Sequence, residues 1–422
     1  MAFRVQKIVG HVQAGLLLPQ ATAGGPNMGS IGTKSPDDVV VISALRTPIC
    51  RAKKGGFKDV YPDDLLKAVL EGVVKEAGIK YEQVGDVKVG NVQLDGAYAA
   101  PARMAQFRAG FPASVPLHTL NRQCSSGLQA VADVANAIKG GMIDIGIGAG
   151  VESMTHGGAV GGGKMPPVNV NEIMTNQLAK DCLIPMGVTA ENVAARYGIS
   201  REKQDQMGVD SHTKALAAQA AGHFKSEIVP VPVEEDGKTI IVDADDGPRK
   251  TTMEGLAQLK TVFKKEGGTV TAGTASQVSD GAAAVLLMRR SKAEELGLKP
   301  LGVFRGAKVC GVDPDIMGVG PAEAIPLALQ TAGLKMEDVD VFEINEAFAA
   351  QAVFCVEKLG VPAEKLNPNG GAIALGHPLG ATGARQVATL LHELKRTGKK
   401  TGVVSMCIGT GMGMAAVFEA EK

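Results

Sequence analysis

Apolar and polar positions alternate along this chain in two rhythms. Short runs rich in β-branched or glycine residues read as strands: Val39 to Ser43, Val84 to Val92, Val115 to Leu120, and Asp144 to Gly150. Between them lie stripes at three- and four-residue steps. Pro62-Asp63-Asp64 opens a helix running from Leu65 toward Ala77, a helix of small and polar residues surrounds Arg103, and Leu128, Val131, Ala135 and Ile138 trace a third. A second series follows, with Thr269 to Met288, Gly302 to Gly311, Val339 to Ile344, Lys365 to Leu375 and Gly402 to Glu419. Strands alternating with helices predict layered α/β architecture. The region between the series, a charged and alanine-rich helical stretch from Thr189 to Ala221 and an irregular polar segment to Arg249, reads as an insertion.

The second series echoes the first. Leu120-Asn121-Arg122-Gln123-Cys124 matches Leu366-Asn367-Pro368-Asn369-Gly370, with extra residues inserted before the following helix. Gly127 and Gly383 each precede an apolar-striped helix, and each helix leads to a glycine-bearing strand. Two copies of one unit would set two helix N-termini around a shared crevice, a favoured place for ligands.

Composition narrows the class. With 44 basic and 44 acidic side chains the chain has no excess charge for nucleic acid or an anionic membrane. Apolar runs such as Gly281 to Met288 are too short to span a bilayer, so no transmembrane segment is expected. The six cysteines lack paired spacing, which argues against a disulfide framework and a zinc site. Gly158, four residues, then Gly163-Lys164 is a near miss to a phosphate loop, but Met165 replaces the magnesium-binding hydroxyl. Gly146-Ile147-Gly148-Ala149-Gly150 lacks the dinucleotide spacing.

Chemistry gathers at Cys124, at a strand-to-helix turn. A helix N-terminus favours a thiolate, but about 1 to 2 kcal/mol of dipole help is too little for a strong nucleophile, so a base from elsewhere is needed. Four other stretches carry polar groups that a scaffold does not need: Asn345-Glu346-Ala347-Phe348, Asn367 to Pro378 with His377, Cys407-Ile408-Gly409-Thr410-Gly411, and Ala272 to Ser276. Singly, each has a bland reading; Asn345, for instance, would cap a helix starting at Glu346.

Together the motifs NRQCSSGLQA, NEAFAAQA, NPNGGAIALGHPLGATGAR and CIGTGMGMA resemble those of the thiolase family, nearest its degradative 3-ketoacyl-CoA branch, from about Val39 to the C-terminus. The resemblance implies a five-layered α/β/α/β/α thiolase fold from two similar domains with an inserted loop domain, and a homodimer. The expected division is a leader over 1–36, an N-terminal domain over 37–155 plus 250–290, a loop domain over 156–249 and a C-terminal domain over 291–422. It implies Cys124 as the nucleophile that takes the acyl group as a thioester, His377 as its base and Cys407 as the second acid/base. Asn345 (through a water) and His377 would hold one thioester oxygen, and the backbone N–H groups of Cys124 and Gly409 the other. Ser276 and Ala272 match positions that meet the pantetheine arm of CoA, Met186 a position lining the acyl or pantetheine pocket, and Arg249 is set to meet the CoA phosphates. Coenzyme A is implied as co-substrate, with no permanently bound cofactor and no metal.

Three positions depart from the family pattern. Thr274 stands for a usual Asn and is expected to loosen its turn or alter CoA affinity, and Thr261 stands for a common Pro. Pro185 stands where short-chain biosynthetic enzymes carry His, which favours degradation over acetoacetyl-CoA synthesis. A biosynthetic acetoacetyl-CoA thiolase and a non-catalytic acyl-CoA-binding protein are the alternatives; the joint presence of Cys124, His377 and Cys407 speaks against the latter. Met1 to Pro36 has no acidic residue and reads as a leader. Within it Arg4-Val5, five residues, then His11-Val12 resembles an N-terminal peroxisomal import signal, with Val12 a departure; this implies an import receptor as partner. A mitochondrial transit peptide is the alternative.

Overall fold

The computed structural model describes residues 31–157 and 167–421. The import-signal-like residues Arg4 to Val12 and the phosphate-loop near miss at Gly158 to Lys164 lie outside them.

Nine strands form one continuous sheet path: β1 (Val39–Arg46), β2 (Asp86–Gly90), β3 (Leu117–Leu120), β4 (Ile145–Ser153), β5 (Ser279–Arg289), β6 (Gly302–Gly311), β7 (Val341–Ile344), β8 (Thr401–Ile408) and β9 (Met412–Ala420). Their order is β7-β8-β9-β6-β1-β5-β4-β2-β3, and along this path the two halves join where Val40 and Val41 pair with Val303 and Gly302. The first half thus runs third-second-fourth-fifth-first in chain order. The second half repeats that order once Leu366, which bridges Phe342 in parallel, is given the third place. The repeat read from sequence is therefore a repeat of topology.

Side-chain alternation stacks these sheets into layers. On β5, Ala284 and Leu286 face the outer helix α1 (Pro62–Ala77) through Leu66, Val69 and Val73. Val285 and Leu287 face the interior, where they meet α2 (Ser126–Lys139) and α3 (Leu379–Thr397). On β8, Val404 and Met406 close this interior layer from the other side, and Val403 faces outward to the helix Gly320–Ala332. The result is helix, sheet, two central helices, sheet, helix: five layers.

Both central helices are buried, and α3 is enclosed on nearly every face from Gly380 to Leu394. They approach through glycine. A methyl on Gly127 would stand 2.7 Å from the Gly380 carbonyl oxygen, and one on Gly383 would collide with the Leu128 backbone.

The helical stretch expected from Thr189 to Ala221 is two helices, Met186–Tyr197 and Arg201–Ala221. Gly198 ends the first in the left-handed region and the Ser200 side chain caps the second. The polar segment after them holds a hairpin, Val231–Glu235 with Lys238–Val242. This region is fastened to the sheets by buried charge. Arg46, at the end of β1, donates to Glu227 at 2.6 Å and to both oxygens of Asp245 at 2.7 and 2.9 Å, and Glu227 accepts from Thr389 of α3 at 3.0 Å. The last six residues of the expected leader also touch the body: Gly32 N–H donates to Glu419 at 2.8 Å and Arg305 to the Thr33 carbonyl at 2.8 Å.

Removing one carboxylate from that cluster strands a buried guanidinium. Asp245→Ala is expected to lower unfolding free energy by about 3–5 kcal/mol in chemical denaturation, against near-neutral loss for an exposed aspartate.

Candidate active site

The two central helices start side by side, and each is preceded by a residue singled out above. Cys124 lies between the edge strand β3 and α2. Its turn is strained, with Gln123 at φ 47° and held by the Asn121 side chain, which accepts from Gln123 N–H at 2.8 Å. His377 lies between the helical turn Ala372–Leu375 and α3.

A second strand end contributes Cys407, the penultimate residue of β8, with Gly409 just beyond it. Burial pushes the Cys124 thiol up to about 11, against the opposing pull of the Gly409 N–H and its own N–H; Glu152 adds to the rise. The expectation of a thiolate favoured by the helix end is thus reversed, because α2 begins only at Ser126 and desolvation outweighs the two donors. Cys407 is fully buried and pushed up by burial, then by the neighbouring Cys124 and Cys355 sulfurs. Both thiols are thus held protonated at neutral pH.

The hydrogen bonds around His377 assign its tautomer. Thr382 Oγ1 lies 2.6 Å from Nδ1 and donates its own proton to the Pro378 carbonyl at 3.1 Å, so it must accept from Nδ1–H. Nε2 therefore carries the lone pair, 3.3 Å from Asn345 Nδ2. Burial and then the Arg385 charge push the imidazole down to about 3, which keeps it neutral. Asn345 does not cap a helix: Phe348 holds that position, and the helix runs over Ala349–Leu359. Asn345 is fixed instead by its N–H to the Ser405 carbonyl at 2.9 Å and its carbonyl to Gln351 at 3.0 Å. Its Oδ1 is buried with no partner, an acceptor left over for a water or ligand.

The remaining candidates border this centre or lie apart. Met186 packs with Cys407 and Phe348, and its sulfur lies 3.5 Å from where a side chain on Gly409 would begin. Ser276 joins through its N–H to the Ala347 carbonyl at 3.0 Å. Ala272 and Arg249 line a separate open cavity of about 410 Å³ with Lys250, Thr252, Leu256 and Gly273. The Thr274 turn is closed, not loosened, since Thr274 Oγ1 accepts from Thr271 N–H at 2.9 Å. Thr382 escaped the sequence reading, although it sits five residues after His377 inside a quoted motif.

This fold and site define a thiolase. The chain matches the models "Thiolase, N-terminal domain" over 39–291 and "Thiolase, C-terminal domain" over 298–420, and it belongs to that family. It is 58% identical to 3-ketoacyl-CoA thiolase B, peroxisomal, of Rattus norvegicus, over 99% of both chains. It is also similar to the crystal structure of the dimeric peroxisomal thiolase of Saccharomyces cerevisiae, with a TM-score of 0.87 and 50% identity over 92% of this chain and 99% of that one. A second structure of the Saccharomyces cerevisiae peroxisomal 3-ketoacyl-CoA thiolase is described as five-layered, from two core domains of identical topology. It matches at TM-score 0.77 and 46% identity, over 93% of this chain and 100% of that one.

Two outcomes follow from the electrostatics. Iodoacetamide alkylation of Cys124 should still be accelerating above about pH 9, where an ordinary cysteine with pKa about 8.5 is levelling off; a plateau at or below that point would contradict the burial argument. Nitrogen NMR of His377 should report the Nδ1–H tautomer, with Thr382→Val releasing it; an Nε2–H signal in the unmodified protein would overturn the assignment.

Proposed function

We propose that this chain is a 3-ketoacyl-CoA thiolase, which uses CoA to cleave a 3-ketoacyl-CoA into acetyl-CoA and an acyl-CoA two carbons shorter, the last step of fatty-acid β-oxidation. The observation that carries the reading is the neutral His377 imidazole, held by Thr382 with its Nε2 lone pair turned to Asn345, together with two thiols that burial holds protonated.

Cys124 Sγ attacks the 3-keto carbon while its proton passes to His377 Nε2. The bond between carbons 2 and 3 then breaks, leaving the acyl group on Cys124 and the electron pair on the acetyl-CoA enolate. Cys407 gives its proton to that carbon. In the second half Cys407 takes the proton of incoming CoA, whose sulfur displaces Cys124, and His377 returns the first proton. Both thiols and the imidazole end in their starting protonation states, and the substrate's C2–C3 bond and the S–H bond of CoA have been exchanged for a C–H bond and a thioester. With the Cys124 thiol pushed up to about 11 and Cys407 also raised, neither sulfur carries charge at rest; charge on the reacting groups appears only as the carbonyl accepts the sulfur. Donors at the developing oxyanions are then worth about 3 kcal/mol each. Asn345, through a water on its unpartnered Oδ1, acts with His377 on one oxygen, and the Cys124 and Gly409 N–H groups act on the other.

CoA enters as co-substrate. The cavity bearing Arg249, Lys250 and Ala272 suits its phosphates, while Met186, packed with Cys407, and Ser276, bonded to Ala347, suit its pantetheine arm. The unit acts as a homodimer. Two features support this: the likeness to a thiolase described as dimeric, and the open edge of β3 next to the Cys124 turn. The peroxisomal relatives support a peroxisomal location. The resemblance of Arg4-Val5 and His11-Val12 to an import signal is what supports a receptor that reads the N-terminal leader. Residues 37–155 plus 250–290 act as the N-terminal domain, 156–249 as the loop domain and 291–422 as the C-terminal domain.

The test is CoA-dependent thiolysis of a long-chain 3-ketoacyl-CoA beside acetoacetyl-CoA. The expected result is turnover of the long chain, abolished by Cys124→Ala. Turnover of acetoacetyl-CoA alone would point to the biosynthetic enzyme, and binding without turnover to an acyl-CoA carrier.

A further inference from the structure

The internal repeat places a counterpart of the candidate site in the first half. The last residue of β2, Gly90, pairs with Gly150, and the last residue of β7, Ile344, pairs with Ser405. The next residue is Asn in both halves, Asn91 and Asn345. Two residues beyond the paired positions stand Glu152 and Cys407. The central helices obey the same relation: Gly127 meets Gly380 and Ala384, and Gly383 meets Leu128, so Gly127 corresponds to Gly383 and Cys124 to Gly380. Cys407 lies near enough to Cys124 across the halves for a charge on one to affect the other. Its counterpart Glu152 likewise reaches Gly380, accepting the Gly380 N–H at 3.0 Å.

We propose that Glu152 is a positioning residue: its carboxylate ties the loop beneath the Cys124 turn to the first turn of the helix after His377. It thereby fixes the approach of the nucleophile to its base. The claim rests on the thiolase reading above.

The geometry is that of a clamp. Glu152 is fully buried. One oxygen accepts from Gly380 N–H at 3.0 Å and Val92 N–H at 3.1 Å; the other accepts from Gln93 N–H at 3.1 Å and Asn91 Nδ2 at 3.3 Å. The loop it holds reaches the nucleophile's turn directly, since Asn121 Nδ2 donates to the Val92 carbonyl at 3.2 Å. The helix turn it holds begins beside His377 and contains Thr382, which fixes the imidazole. Every partner of Glu152 is a donor, so only the acceptor form satisfies all four. Burial pushes the carboxyl up to about 7, and the Gln93, Gly380, Val92 and Asn91 donors oppose that rise. A buried carboxylate near a nucleophilic thiol adds to the rise of the thiol's pKa, an effect opposed to reactivity. None of its four partners is a reacting group, so what Glu152 gives the site is position.

That opposition supplies the test. In the full-length protein, Glu152→Gln keeps the shape but replaces an acceptor with a donor and removes the charge. Thiolysis kcat is expected to fall about 10²-fold with KM for CoA little changed. Alkylation of Cys124 by iodoacetamide at fixed pH is expected to quicken by about threefold or more, because the charge opposing the thiolate is gone. A kcat near that of the unmodified protein would overturn the proposal. So would kcat and alkylation falling together, which marks general loosening. If the glutamine variant does not fold, Asn91→Ala removes one donor to the clamp; it should lower kcat with KM for CoA preserved, and an unchanged kcat overturns the proposal. If the unmodified protein itself shows no thiolysis, the functional reading has failed, and alkylation alone reports on the clamp: slower or unchanged alkylation in Glu152→Gln overturns it.

Discussion

The structure depends on two helices meeting where neither has a side chain. Gly127 and Gly383 let α2 and α3 start within backbone contact of each other, deep between two sheets. Because Cys124 and His377 immediately precede those helices, the same contact sets the two candidate partners of a proton transfer. A side chain at either glycine would move helix backbone and not merely a neighbouring rotamer. The layers serve this contact. Outer helices and sheets give α3 an apolar sleeve, while its polar residues are spent on ties to the surrounding elements, Gln386 to the Glu343 carbonyl at 3.0 Å and Thr389 to Glu227 at 3.0 Å.

Burial of that depth decides the electrostatics. A helix end offers about 1 kcal/mol to a nearby anion, whereas removing a thiolate from water costs more than that. Both thiols are accordingly pushed up and the imidazole is pushed down. The site is built from neutral groups whose proton positions are set by hydrogen bonds. That arrangement suits a reaction in which charge appears transiently on carbonyl oxygens.

Much of this was legible in the chain. The strand series and the alignment of Leu120 with Leu366 and Gly127 with Gly383 follow from short-range pattern, and both halves take the same strand order. The motif residues were legible because their types are chemically costly to keep without use. What escaped depends on contacts between segments far apart in sequence. Nothing local marks Thr382 as the acceptor for Nδ1 of His377, or Glu152 as the partner of Gly380, 228 residues away. The sign of the Cys124 shift also escaped, because it turns on how much water the folded halves exclude. Asn345 read as a helix cap because spacing alone cannot distinguish a cap from a residue whose backbone is held by Ser405 and Gln351 and whose side chain turns to His377.

The central claim is that acyl transfer passes through Cys124, with Cys407 moving protons and never carrying the acyl group. Its most direct test is acid-quenched peptide mass spectrometry after mixing the protein with a 3-ketoacyl-CoA in the absence of free CoA. The account predicts an acyl mass on the peptide containing Cys124, discharged on adding CoA, and no label on the Cys407 peptide. An acyl group on Cys407, or sustained turnover with no acyl-enzyme at Cys124, would contradict it.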